Sequence, residues 1–201
     1  MDDIIIWSEM LEELHKSTHE VLRQLRDNRL CIAPDKYDWT QHKIEFLGYM
    51  VSGQGVKMTD KKVETLKKIE PLKTLKDVQY VLGFVNFYRR FIQDYSMIIL
   101  PMTYSTSLEK HEWQSTLEIE LAQKQLVQAF TTAPVVRHFD PEEPAIVETD
   151  ASDFALGGIL SQKYEGRLYP IAFHSRNFTQ AEINYDTADK ELLAIVDCFK
   201  R

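Results

Sequence analysis

The sequence predicts a mixed chain, α+β or α/β, built as two domains. Three observations carry this. The elements run as a strand–helix unit, a hairpin, several helices, then a three-strand meander followed by a helix. The polar segment His138-Phe139-Asp140-Pro141-Glu142-Glu143-Pro144 reads as the main boundary, because it interrupts both periodicities with turn-forming residues. The composition, 44% apolar and 27% charged over 201 residues, is that of a chain able to bury a core.

Asp2-Asp3 leads into the β-prone run Ile4-Ile5-Ile6-Trp7, and Ser8 opens a helical pattern. Leu11, Leu14, Thr18, Val21, Leu22 and Leu25 share one face of that helix, and Asn28 is its expected stop. Residues 30–34 and 44–51 read as strands, and Gly53-Gln54-Gly55 turns the chain into a short return strand, Val56 to Met58. Thr59-Asp60 caps a short helix that ends at Pro71. Thr74 and Asp77 stand at capping-box spacing before a longer helix reaching about Asp94. A further helix covers about 114–131. Strands are expected at 145–150, 157–162 and 168–175, with Glu165-Gly166 as a hairpin turn. A last helix runs from about 186, with Thr179 and Glu182 spaced as a capping box before it.

Charge is unevenly spread. The formal net charge of −7 disfavours a generally adhesive nucleic-acid binder, yet residues 57–90 hold nine Lys/Arg against four Asp/Glu. Such a segment is either a phosphate-contact surface or a solvated lysine-rich helix. Residues 109–153 reverse the balance, with three Lys/Arg against ten Asp/Glu. No run approaches the roughly 18 apolar residues of a membrane span, and no signal peptide opens the chain. Cys31 and Cys198 have no metal-ligand spacing and read as buried thiols of a reducing compartment.

Three constellations can carry chemistry. Asp2-Asp3 before a β-prone run can offer hard oxygen ligands to a divalent cation, or be an ordinary acidic start. On the 75–94 helix, Val78, Leu82, Val85 and Ile92 form an aliphatic face and Tyr80, Phe84, Phe87 and Phe91 an aromatic one. Between them runs a seam of Gln79, Gly83, Asn86 and Arg90, whose glycine permits close approach by a minor groove or by a neighbouring helix. Two apolar faces predict a helix buried on most of its circumference. The third is Asp150, at the end of a strand, with Glu191, which shares a helical stripe with Ala188, Leu192, Ile195 and Phe199. A carboxylate on a packed stripe calls for a metal, a partner or a shifted pKa, unless it reaches out to solvent.

These segments together resemble the Pol polyprotein of gypsy-type LTR retrotransposons, over essentially the whole chain and in the same order. Asp2-Asp3-Ile4-Ile5-Ile6-Trp7-Ser8 resembles the end of the Tyr-x-Asp-Asp motif, with the tyrosine missing. Phe46-Leu47-Gly48-Tyr49 resembles the primer-grip hairpin, and Leu82 to Ile92 the thumb signature. Thr132-Ala133-Pro134-Val135-Val136 and Val147-Glu148-Thr149-Asp150-Ala151-Ser152 are similar to the entry into RNase H. Tyr185-Asp186 and Asp189 to Val196 resemble that domain's first long helix. The resemblance implies a truncated palm with its hairpin at 1–58, thumb and connection helices at 59–137, and the first half of an RNase H-like α/β domain at 138–201. It implies RNA-directed DNA synthesis coupled to degradation of the RNA strand in hybrids. Asp2, Asp3, Asp150 and Glu191 would be Mg²⁺-holding catalytic carboxylates. Phe46, Leu47, Gly48 and Tyr49 would set the primer end, and Gln79, Gly83, Asn86, Arg89 and Arg90 would meet nucleic acid. The implied partners are an RNA/DNA hybrid, a primer-template and the remaining Pol segments, inside the cell, in cytoplasm, nucleus or a virus-like particle, and no membrane. The first polymerase aspartate and the later RNase H ligands have no counterpart here, so the chain is expected to be inactive alone. A non-catalytic binding module built on the thumb helix is the alternative.

Overall fold

A computed structural model of the chain describes residues 3–107 and 113–201. By compactness it divides at Gly53–Gln54 into two units. In the first, helix α1 spans Leu11–Asp27, three residues later than the pattern opens. Ser8 prepares its start: the Oγ accepts from Met10 N–H and donates to Glu13. The expected face, Leu14, Thr18, Val21, Leu22 and Leu25, is the half-buried one, while Leu11 is exposed. Asn28 follows the last turn and Arg29 takes a left-handed conformation, which ends the helix as expected.

The other expectations for this unit are corrected. Ile4 to Trp7 form no strand, because a β-prone run needs a paired neighbour and this one has none among the described residues. Residues 30–33 are irregular, and Pro34, the last of the expected strand, opens a 3₁₀ turn at Pro34–Lys36. The single strand expected at 44–51 is two, β1 (Lys43–Phe46) and β2 (Tyr49–Ser52), paired antiparallel. Leu47 and Gly48 both have positive φ, the geometry of a two-residue hairpin turn.

The second unit opens with β3 (Gly55–Met58), whose Val56 bridges to Val136. Helix α2 (Asp60–Lys67) follows, then α3 (Leu75–Asn86), which begins in the expected capping box between Thr74 and Asp77. The helix expected to reach Asp94 stops at Asn86. Tyr88 leaves helical geometry, residues Arg89–Phe91 form a 3₁₀ turn, and Asp94 is left-handed. Tyr88 and Ile92 stay on the side of Val78, Val81 and Val85, and the break brings in Phe91, which a continuous helix would have set on the aromatic side with Tyr80 and Phe87. Short helices α4 (Tyr95–Ile98) and α5 (Leu100–Ser105) continue, and α6 (Leu117–Thr132) starts on the Thr116 cap. Ile119, Ala122, Leu126 and Phe130 of α6 recur at three- and four-residue steps and close the helical core.

The expected boundary at 138–144 is a fixed connection inside the second unit, held by the buried side chain of Gln162. Beyond it, β4 (Ala145–Ala151), β5 (Ala155–Tyr164) and β6 (Arg167–Asn177) form an antiparallel meander, with Glu165 and Gly166 at positive φ in the hairpin turn. Alternation gives the sheet two different faces. One carries Asp150, Gly157 and Ser175 and packs on the 89–91 turn and α4, where Ser175 Oγ accepts from Ser96 N–H at 2.9 Å. The other carries Thr149, Gly158 and His174 and receives α7 (Thr187–Cys198).

Two expectations about α7 are corrected. Thr179 and Glu182 do exchange capping bonds, but they close the 3₁₀ turn Glu182–Asn184, and Asp186 caps α7 itself. The stripe Ala188, Leu192, Ile195 and Phe199 faces outward. The packed arc lies about a third of a turn away and holds Glu191, Ala194 and Cys198. Its small residues are what the sheet requires: a Cβ on Gly158 would collide with Cys198 Sγ. Cys198 is therefore half-buried, whereas Cys31 is exposed, contrary to the expectation of two buried thiols.

Candidate nucleic-acid interface and carboxylate site

Helix α3 buries one face only. Val78, Val81 and Val85 go into the core, and Tyr88 follows them just past the helix end. Gln79, Gly83 and Asn86 are exposed, and so are the aromatic neighbours Tyr80, 66% exposed, and Phe87, 53%. The expectation of a helix buried on most of its surface is thus corrected, and no neighbouring helix of the described residues covers the seam. Nothing lies within 4 Å of a Cβ built on Gly83. A glycine there costs about 1 kcal/mol against alanine, and the chain's own packing does not ask for it.

Basic groups border this surface. Lys62 of α2 lies 5.8 Å from the centre of the Phe84 ring, which brings the lysine-rich α2 beside α3. Arg89 and Arg90 are exposed in the 3₁₀ turn. Arg90 is not on the seam of α3, because the helix has ended, and its guanidinium lies over Phe91 at 5.8 Å. In the first unit, Phe46, Leu47, Gly48 and Tyr49 make up the hairpin tip, with Leu47 projecting into solvent.

Asp3 is exposed in an irregular stretch, and Asp2 lies outside the described residues. Asp150 and Glu191 come from opposite faces of the second sheet. Asp150 pairs with Gly157, whose side faces Asp94, while Glu191 belongs to the helix on the other face. Both stand near the same sheet end, where Lys190 Nζ reaches Asp153 O at 3.5 Å. Asp150 shares a cleft of about 190 Å³ with Asp94 and Glu148. Burial, and then the Asp150 charge, push the Asp94 carboxyl above its ordinary range. The oxygens are of the hard type that suits Mg²⁺. Among the described residues, however, no three His, Cys, Asp or Glu side chains converge as a metal site. The described donors thus do not complete a metal shell.

Residues 1–51 match the family described as reverse transcriptase (RNA-dependent DNA polymerase), and residues 113–201 the RNase H-like domain found in reverse transcriptase. The Transposon Tf2-3 polyprotein of Schizosaccharomyces pombe is 34% identical over the whole chain, and Tf2-7 of the same organism 33%. The chain belongs to the reverse transcriptases of retrotransposon polyproteins. It spans 15% of the length of those relatives. Reverse transcriptase and RNase H families generally use divalent metals. Solved structures agree on the fold: a foamy viral protease-reverse transcriptase in complex with double-stranded DNA has a TM-score of 0.83 at 25% identity, covering 96% of this chain and 34% of that one. The same viral enzyme with an RNA/DNA hybrid gives 0.81 at 26% identity, covering 96% and 26%.

One feature of this reverse-transcriptase segment escaped sequence reasoning. Arg176 donates to Asp197 Oδ1 at 3.1 Å and to both oxygens of Glu182, and His174 Nε2 lies 2.8 Å from Asp197 Oδ2. Burial alone would raise the Asp197 carboxyl, but His174 and Arg176 outweigh it and hold it below its usual range. The bond to Arg176, aided by Thr179 N–H, takes Glu182 down to about 2. Alternation along β6 puts residues 174 and 176 on one face, and that signal was available. Which helix would meet them was not.

Proposed function

We propose that this chain is the primer-template-handling part of a gypsy-type reverse transcriptase, with the open surface of α3 laid along the minor groove of an RNA/DNA hybrid or duplex. The observation that carries this is the exposed seam of Gln79, Gly83 and Asn86, with the exposed rings of Tyr80 and Phe87 together along one side of it. Amide side chains read groove edges, a glycine admits a close backbone, and the adjacent rings exclude water. Arg89, Arg90 and the α2 lysines supply phosphate contacts, and the Phe46–Tyr49 hairpin sets the primer end. The nucleic acids bound by the foamy viral enzymes support the same class of partner.

Asp2, Asp3, Asp150 and Glu191 are the proposed Mg²⁺ ligands of the parent polymerase and RNase H. The metal, when bound, supplies Lewis-acid activation of water and phosphate. Asp150 and Glu191 offer it carboxylates from two sides of one sheet end. The remaining Pol segments complete the enzyme, and free thiols at Cys31 and Cys198 suit an intracellular setting.

Hybrid binding by the full chain, measured against salt, tests the reading. Affinity should fall steeply with ionic strength, and Arg89→Ala with Arg90→Ala should flatten the slope by about one to two units. Asn86→Ala should weaken binding about threefold to tenfold without changing the slope, since it removes a groove contact and no charge. Salt-independent binding, or full affinity in a Gly83→Leu variant, would overturn the assignment.

A further inference from the structure

The segment from Val136 to Glu143 has the composition of a loose linker, but it is bonded at both ends and along its middle. Val136 is 1% exposed and exchanges two backbone bonds with Val56 of β3, at 2.8 and 3.0 Å. Gly55 makes that approach possible: it has φ +136°, and a Cβ there would run into the Val136 carbonyl. Arg137 N–H donates to Pro170 O of β6 at 2.9 Å. Its guanidinium lies 4.8 Å from the Tyr164 ring and 4.6 Å from that of Tyr169. Tyr164 Oη donates to His138 O at 2.7 Å.

The far end is held by Gln162 of β5, which is 0% exposed. Its Oε1 accepts Asp140 N–H at 2.9 Å, and its Nε2 donates to Asp140 O at 2.7 Å and Glu143 O at 2.9 Å. A buried amide is costly unless its donors and acceptor are met, and an apolar side chain would fill the same space without that demand. This amide directs three of its bonds to a single stretch of connecting backbone, and its Oε1 also accepts from Tyr164 Oη at 3.4 Å.

We propose that residues 136–143 act as a mechanical strap that couples strand β3 to the β4–β6 sheet, so that opening one end opens the other. Val136 is adjacent in sequence to Arg137, and Arg137 and His138 are fixed to the hairpin that also holds Asp140 and Glu143. Displacing β3 therefore pulls on a chain with little slack, and the segment behaves as one cooperative unit with the sheet. Displacement at the start of the second unit thereby reaches the sheet that carries Asp150. The coupling stands on these contacts alone, whether or not Asp150 holds a metal.

Amide hydrogen exchange on the full chain tests it. Gln162→Ala removes the distal anchor, and the Val56 and Val136 amides should then exchange about tenfold faster or more. Gly55→Ala should in turn speed exchange at Asp140. If Gln162→Ala speeds Asp140 and leaves Val56 and Val136 within about twofold of the unaltered chain, the strap is overturned. Should Gln162→Ala not fold, Tyr164→Phe removes one hydroxyl, which anchors His138 O and also touches Gln162 Oε1. It should speed Val56 and Val136 measurably, and unchanged rates there overturn the proposal equally.

Discussion

Helices α3 and α7 are each twelve residues long and each begins on a side-chain cap, yet they use their apolar residues in opposite ways. In α3 the valines point inward, against a helical core that includes Leu126 and Phe130 of α6. In α7 Leu192, Ile195 and Val196 point outward, Leu193 packs beside Leu156 and Phe178, and the sheet is met by Ala194, Cys198 and the polar pair of Glu191 and Asp197. An apolar stripe says that a helix has a face to bury. It does not say which partner covers it. Within this chain α3 meets its partner, and α7 is held by close approach to Gly158, by charge and by the small cluster of Ala194 and Leu193 with Leu156 and Phe178.

The strongest way to break the comparison is to place the same charge on each stripe. Val85→Asp puts a carboxylate where no solvent reaches and no cation waits, since Val85 is 0% exposed. Chemical denaturation should show a loss of about 4 kcal/mol or more, or no folded second unit at all. A loss under about 1 kcal/mol would mean that the α3 face is not core.

The second test concerns the charge that holds α7. Arg176→Met strips Asp197 and Glu182 of their shared partner, with side chains that are 25%, 18% and 17% exposed in the arginine, the aspartate and the glutamate. A fully buried pair would cost more, so partial solvation sets the expected loss at about 2 kcal/mol near pH 7. The acid limb gives the sharper reading. Glu182 is held at about 2 against an ordinary 4.5. A carboxyl depressed in the folded state contributes stability in full above its unfolded pKa and loses it as pH falls through the folded one. Melting temperature should therefore decline between about pH 4.5 and 2 in the unaltered chain, and much less in Arg176→Met. Equal declines would remove Glu182 from the account.

How far the sequence revealed this fold depended on whether the deciding contact was local. The capping box at Thr74 and Asp77, the turn at Glu165-Gly166 and the stop at Asn28 are set by neighbours a few residues away, and each stands where the pattern put it. The Leu47-Gly48 turn does not show in the strand pattern, since leucine seldom takes positive φ, and only the likeness of Phe46–Tyr49 to a primer-grip hairpin pointed to it. The end of α3 at Asn86 has no breaker residue; the 3₁₀ turn that follows brings Phe91 into the core. The candidate carboxylates were visible as residues but not as geometry. Asp150 and Glu191 were legible one by one, while Asp94 reaches Asp150 only through the packing of α4 on the sheet.

The smallest expected effect sharpens the comparison most. Leu192 is 58% exposed on α7, and Leu192→Asp adds the same carboxylate that Val85→Asp adds to α3. Here the group keeps its water, and an exposed site away from caps and core shifts stability by no more than about 0.5 kcal/mol. The unfolding midpoint of this chain should hardly move. A loss of more than about 2 kcal/mol would mean that the stripe is covered in solution, by a second copy or by some other surface. Dilution separates those outcomes, since cover by a second copy weakens as concentration falls. If the midpoint holds, the outward stripe contributes nothing to this fold, and α7 is fixed by its inward side: Leu193 and Ala194 on Leu156 and Phe178, Cys198 on Gly158, and the clamp of His174, Arg176 and Asp197.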